Sequence, residues 1–340
     1  MLRKPEDHSF ETIIGHEQVK QVLRRMVEAN RMPHALLFFG PEHLGKESMA
    51  YALVRYLLCE GTRGSATCQC NACAKISRNT HIDVQIIKPR GPTRQILIEH
   101  IRALQDYAYL TPTEGDRRIV IFKEADRLTV SASNCLLKLL EEPPPHLLLI
   151  LLTAHPHALL PTIRSRCAPL RFGPVGPDVL EPWLVEEVGS KPEIAAIATL
   201  LSEGRPGVAL HIVTGAALQQ RATILQELAV FNEHGFASLF RVVHQMLSTG
   251  ASLQELASLL LSWFRDLLLS HYAPGEDRLL IHKDLAAHIS QDATRYSPEA
   301  LFKAVESLCT LKQISARQLI QNNLALEVAL MHVGEALKKA

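Results

Sequence analysis

The run Gly40-Pro41-Glu42-His43-Leu44-Gly45-Lys46 constrains this chain more than any other, because it satisfies G-x-x-x-x-G-K in the setting that motif needs. A short apolar strand, ALLFF at 35–39, precedes it. An amphipathic helical pattern, SMAYALVRYLLC at 48–59, follows. Glycines there let backbone amides wrap a chain of phosphates, the helix N-terminus favours negative charge, and Lys46 would reach the β and γ phosphates. The run predicts a P-loop fold; the competing reading is an ordinary strand–turn–helix with chance glycines. Position 47 should offer a Ser or Thr hydroxyl to Mg²⁺ but is Glu47, and Ser48 lies about 100° further round the helix. Glu47 could ligate the ion itself, at a repulsive cost.

The second half of such a site is an apolar strand ending in Asp-Glu, the Asp holding Mg²⁺. Here it reads RIVIFKEAD, 118–126, with Lys123 at the Asp position and Glu124 where the water-activating carboxylate belongs. Asp126 falls past the strand end, in the next loop or helix. Two independent metal-side positions are altered, which counts against turnover more than either alone.

The remaining periodicities place these pieces in a larger layout. EQVKQVLRRMVEA (17–29) carries Val19, Val22, Leu23 and Met26 at helical spacing. DVQIIK (83–88), RIVIF (118–122) and LLLILLT (147–153) alternate with helical patterns at 95–108 and 131–142, which predicts a parallel sheet covered on both faces. GPVGP (173–177) reads as a linker and SEGRPG (202–207) as a turn. Beyond about 216 come long Leu-rich helices, SLQELASLLLSWFRDLLLS (252–270) and PEALFKAVESLCTLKQISARQLI (298–320) among them. The expected division is an α/β domain at 1–172, a small helical domain at 173–215 and an all-helical domain at 216–340.

Thirty-six basic and 35 acidic side chains leave a formal charge of +1, where a chain gripping DNA by itself usually carries a basic excess. The start, MLRKPEDHSF, is too polar for a signal peptide, and no apolar run reaches the roughly 18 residues of a membrane span. A cytoplasmic location is expected, with reduced cysteines unless metal holds them. Four of the seven, Cys59, Cys68, Cys70 and Cys73, fall within 15 residues, the signature of a closed structural Zn²⁺ site at 59–73. Only Gln69 separates Cys68 from Cys70, so His81 is a conceivable fourth ligand, and unliganded thiols are the bland alternative. Cys135, Cys167 and Cys309 read as core residues, His34 and His43 as structural.

HALLFFGPEHLGK, THIDVQIIKP, SNCLLKLLEEPP and TIRSRC, in that order, resemble the clamp-loader AAA+ proteins of bacterial DNA replication. The similarity runs from about Ile14 to Phe172, with a weaker echo in SWFRDLLL (262–269) and NNLALEVALM (322–331). It implies an AAA+ domain with a zinc module, a helical lid and a C-terminal collar domain. It also implies that Arg166, in Ser165-Arg166-Cys167, projects into a neighbouring subunit's ATP site. Arg164 and Arg171 are its neighbours, and a surface arginine paired with a carboxylate is the bland reading. Thr153 matches the family's first sensor position, although threonine is common in strands. The second sensor arginine falls at Gly207, and Arg205 lies two residues early. The resemblance implies a stator-like subunit working with ATP-hydrolysing and clamp-opening subunits in a ring that loads a sliding clamp onto primed DNA. Gly40, Gly45 and Lys46 then form a degenerate loop that supports no turnover. A working AAA+ ATPase, a clamp-loader motor or a helicase-type remodeller, with Glu47 and Glu124 in unusual roles, and a zinc-bearing interaction protein outside replication, are the alternatives.

Overall fold

The computed structural model describes residues 9–214 apart from Pro92, then 253–317 and 322–338. Most of the polar N-terminus and the helices expected between 216 and 252 lie outside the described residues. Two compact units divide the chain: Met1–Gly189 with Gly204–Gly207, and Ser190–Glu203 with Val208–Ala340.

In the first unit, β1 (Ala35–Phe39), β2 (Val84–Ile87), β3 (Arg118–Phe122), β4 (Leu147–Thr153) and β5 (Ala168–Arg171) form one parallel sheet in the order β2-β3-β4-β1-β5. The register sets Leu37 beside Leu151 and Ile121 beside Ile150. β3 and β4 are buried along their whole length, as strands covered on both faces must be, which explains their unbroken apolar runs. Leu36, Phe38, Leu148 and Ile150 face α1 (Glu17–Glu28) and α2 (Lys46–Leu58) through Leu23, Met49 and Leu53. Leu37, Val120, Phe122 and Leu149 face the opposite way, onto α4 (Ile98–Tyr109) and α5 (Val130–Glu141) through Ile101, Leu104, Leu136 and Leu139. Thr129 caps α5 by accepting the Ala132 amide at 3.2 Å. The loops after β1, β3 and β4 leave one edge of the sheet together, where parallel sheets place their sites.

Two elements differ from the sequence expectation. β5 is an additional strand, and as the sheet's outer strand it accommodates Pro169, which has no N–H to donate. α3 (Asn71–Ser77) is a short helix inside the cysteine region. The turn at 202–207 is as expected, with Glu203 (φ 53°) and Gly204 (φ 72°) left-handed. The unit also holds α6 (Pro161–Arg164) and α7 (Pro177–Glu186), α7 burying Leu180 and Leu184.

Asp83, fully buried just before β2, organises the loop ahead of β3. Its carboxylate accepts the amides of Thr113 (2.9 Å), Glu114 (2.7 Å) and Gly115 (3.0 Å) and lies 3.6 Å from Arg118. Arg118 donates to the Leu110 and Thr111 carbonyls, both at 2.7 Å, and stacks 4.3 Å over Tyr107. Burial alone would push the Asp83 carboxyl up; the three amides and the guanidinium outweigh it and hold it below the usual range. A folded value below the unfolded one gives stability that is complete above about pH 4 and lost as pH falls through the depressed value. Asp83→Ala strips partners from three amides and a buried guanidinium. We expect it to cost roughly 3–5 kcal/mol in denaturant titrations at neutral pH and to flatten the acid limb of the stability curve.

In the second unit the described residues form helices: α8 (Pro192–Leu201), most of α9 (Pro206–Thr214), α10 (Leu253–Tyr272), α11 (Ala286–Ala293), α12 (Pro298–Arg317) and α13 (Asn322–Lys338). Leu260, Trp263, Phe264, Leu267, Leu301, Leu308, Leu330 and Val333 make its core. Buried Asp266 accepts the amides of Ile281 (2.9 Å) and His282 (2.8 Å), and the His282 ring meets the Ser262 hydroxyl at 2.9 Å. This polar pocket fixes the loop between α10 and α11. Among the described residues, no helix is long and apolar enough to cross a membrane.

Candidate functional site

The phosphate loop sits where the motif requires, between β1 and α2. Gly40 has φ 144° and donates its amide to the Thr153 carbonyl at 3.3 Å; a Cβ there would lie 2.2 Å from the Phe172 carbonyl oxygen. His43 (φ 63°) and Gly45 (φ 87°) turn the loop tip through left-handed conformations. His16, ahead of α1, brings Nε2 to 2.8 Å from the Leu44 carbonyl, and burial lowers its pKa. The Lys46 ammonium donates to the loop's own carbonyls, Gly40 O at 2.6 Å and Pro41 O at 2.5 Å. Burial lowers its pKa to about 8, against the opposing pull of Glu42 and Asp126.

The metal side is internally satisfied. Glu47, in the first turn of α2, forms an ion pair with Lys123, the residue after β3. Glu124 is left-handed (φ 51°), and its carboxylate takes a two-pronged contact from Arg94 at 2.9 and 3.0 Å. Asp126 lies in a 3₁₀ turn, Ala125–Arg127, and accepts the Thr153 hydroxyl at 2.6 Å. Thr153 in turn accepts the His155 amide at 2.9 Å, so its hydroxyl is engaged within the fold. Gly207 donates its amide to the His43 carbonyl at 3.0 Å, and a Cβ at 207 would come within 3.1 Å of the His43 Cβ. The position matched to the second sensor arginine is thus one where the backbone itself approaches the loop.

The cysteines converge from the end of α2, the following loop and the start of α3. The four Sγ atoms of Cys59, Cys68, Cys70 and Cys73 lie within 4.8 Å of one another, with Cys59 3.5 Å from Cys68 and 4.0 Å from Cys70. A tetrahedral ion with metal–sulfur bonds of about 2.3 Å needs sulfurs about 3.8 Å apart. The cluster fits, and it could hold a metal ion. Arg55, buried, donates to the Cys68 carbonyl at 3.2 Å and so fixes the shortened Cys68–Cys70 turn. Burial pushes the Cys73 thiol up to about 12. Burial acts the same way on Cys70, but the amides of Cys73 and Glu60 outweigh it and bring that thiol to about 6. His81 is not part of the cluster: its Nδ1 accepts the Asp83 amide at 3.2 Å and its Nε2 lies 3.8 Å from Glu114.

Arg166 follows α6 and is half-buried. Nη2 pairs with Glu141 at 2.8 Å and Nη1 donates to the Thr162 carbonyl at 3.0 Å, where the end of α5 meets α6. Arg164 turns toward His157, 3.4 Å away. Sequence reasoning missed the Glu47–Lys123 pair, whose signal was the opposite charge at the two positions that share a metal in working loops. It also missed Arg94 on Glu124, for which the sequence carries no signal.

Family models described as "DNA polymerase III, delta subunit" and "DNA polymerase III, delta subunit, C terminal" match residues 15–176 and 216–334. DNA polymerase III subunit delta' of Escherichia coli K12 is 30% identical over 289 residues, covering 84% of each chain. The delta' subunit of Bacillus subtilis is 29% identical over 321 residues, 93% of this chain and 94% of that one. A gamma/tau subunit from Mycobacterium tuberculosis is 29% identical over 337 residues, 87% of this chain and 57% of its own length. Among solved structures, a DNA polymerase III gamma subunit-related protein from Thermotoga maritima superposes with a TM-score of 0.50 at 19% identity, covering 94% of this chain and all of that one, a likeness of fold. The strand order, the loop after β1 and the matches along both units lead to one conclusion: the chain belongs to the DNA polymerase III subunit delta' family.

Proposed function

We propose that this delta' subunit of the clamp loader is a stator that supplies an arginine to a neighbour's ATP site and hydrolyses no ATP itself. The observation that carries the reading is the internal closure of the nucleotide site. Lys46 bonds to its own loop, and Glu47 and Lys123 bond to each other at the positions where Mg²⁺ chemistry needs two oxygen donors. Gly40, Gly45 and Lys46 are then architectural. Arg166, half-buried where the end of α5 meets α6 and paired there with Glu141, is the group that would exchange that partner for a neighbour's phosphates. Gamma/tau and delta subunits are the partners in a hetero-oligomeric ring, which delivers the clamp to primed DNA. The helices after about 216 form the collar, residues 173–215 the lid, and the whole works in the cytoplasm. Zinc is the metal of Cys59, Cys68, Cys70 and Cys73, since four thiolates select it in a closed site.

The purified chain is expected to show no ATP turnover above its Lys46→Ala variant. Turnover should appear on mixing with gamma/tau, delta, clamp and primed DNA. Hydrolysis by the pure chain that vanishes in Lys46→Ala would overturn the stator reading in favour of a working ATPase.

A further inference from the structure

In a working P-loop the divalent ion ties two distant segments together, the residue after the loop lysine and the end of the neighbouring apolar strand. In this chain those two positions are 47 and 123, and they are tied directly. The Lys123 ammonium rests on Glu47 Oε1 and lies 5.7 Å from the centroid of the Tyr51 ring, one turn further along α2. Tyr51 is itself fixed by donating its hydroxyl to Asn79 at 2.8 Å. The Lys123 backbone is pinned by its amide on the Ile87 carbonyl at 2.8 Å. The cation is therefore held by a carboxylate and an aromatic face on a fixed stem.

We infer that the Lys123 ammonium replaces the divalent cation, as a built-in bridge between β3 and α2. Mg²⁺ demands near-octahedral oxygen ligands. Here one of its two protein positions offers a positive charge, and the other offers a carboxylate already neutralised by that charge. The residues do not fit Mg²⁺, and they make the bridge without it. Two alterations that look like separate losses in the sequence are then one device. The inference deepens the stator reading and rests on it.

The test is a double-mutant cycle in the full chain: Glu47→Ala, Lys123→Ala and both, followed by thermal unfolding with and without Mn²⁺ and ADP. Each single change is expected to lower the midpoint by about 2–4 °C, with the double variant no lower than the worse single. The charge exchange Glu47→Lys with Lys123→Glu should return the midpoint to the wild-type value. Mn²⁺ as a paramagnetic probe should bind a variant carrying Glu47→Ser and Lys123→Asp, in the presence of ADP, at least about tenfold more tightly than it binds the wild type. Additive single effects would sink the inference, and so would a folded Glu47→Ser, Lys123→Asp variant that takes up no more Mn²⁺ than the wild type. If that variant does not fold, the alanine cycle and the charge exchange decide alone. A wild-type chain that is inert toward ATP but shows an additive cycle loses only this inference, whereas Lys46-dependent hydrolysis by the wild type removes the stator reading beneath it.

Discussion

Arg166→Ala should lower the clamp-stimulated ATP turnover of the reconstituted complex by about 10³-fold or more at the site it serves, the scale on which a guanidinium supplied to a developing phosphoryl charge acts. The chain itself should stay folded. Arg166 is paired with Glu141 at the surface, and such pairs contribute roughly 0–1 kcal/mol. Assembly, followed by gel filtration, should be unchanged, so the deficit must appear as rate and not as missing complex. Lysine should rescue poorly, because a point charge does not reproduce the planar fork. Arg164→Ala is the control, since that guanidinium turns toward His157. A complex that assembles with Arg166→Ala and turns over at the wild-type rate would reduce Arg166 to a surface arginine.

The second large effect concerns the cysteine cluster. Protein prepared without chelator should carry about one equivalent of zinc by elemental analysis. Replacing Cys70 and Cys73 with Ser should reduce that to background. Structural zinc contributes about 10–16 kcal/mol of binding free energy in small zinc peptides, and that energy is coupled to folding of the ligand loops. The four cysteines lie outside the two cores that pack on the sheet, so the loss should be local. Amide exchange should accelerate across 59–77, which includes α3, while β1, β3 and β4 keep their protection. Lys75 of α3 pairs with Glu114 at 2.6 Å, so the loop that Asp83 anchors should show part of the same loosening. Metal-free wild type with unchanged exchange would remove the structural role.

Much of the fold was readable because its strands are buried on both faces. ALLFF, RIVIF and LLLILLT announce themselves as continuous apolar runs, and the structure places strands on all three. β5 was not readable for the opposite reason: as an outer strand with Pro169 and an exposed Arg171, it carries no such run. α3 was hidden by length, since seven residues hold too few turns for a periodic signal. The site divides along the same line. Residues adjacent in the chain, Gly40 to Lys46 and Cys59 to Cys73, were found together because their chemistry is local. Glu47 and Lys123 stand 76 positions apart, and Thr153 and Asp126 stand 27 apart, and only the sheet order brings each pair together. Nor does any pattern in the sequence place Glu141 on Arg166 or Arg94 on Glu124. Such contacts depend on which segments meet at each edge of the sheet: Arg94 and Glu124 follow β2 and β3, whereas Glu141 and Arg166 precede β4 and β5.

Gly40 shows how a phosphate loop would persist if its reaction were lost. A single methyl there would press to 2.2 Å from the carbonyl of Phe172, a neighbour supplied by the strand alongside and not by any nucleotide. The first glycine of the motif is therefore enforced by packing. On the stator reading, a genome survey that counts this heptapeptide as a fuel inlet would misplace the chain, while Gly40 would still be held in place by its packing against Phe172. On the stator reading, the informative letters are those just outside the signature, at 47 and 123.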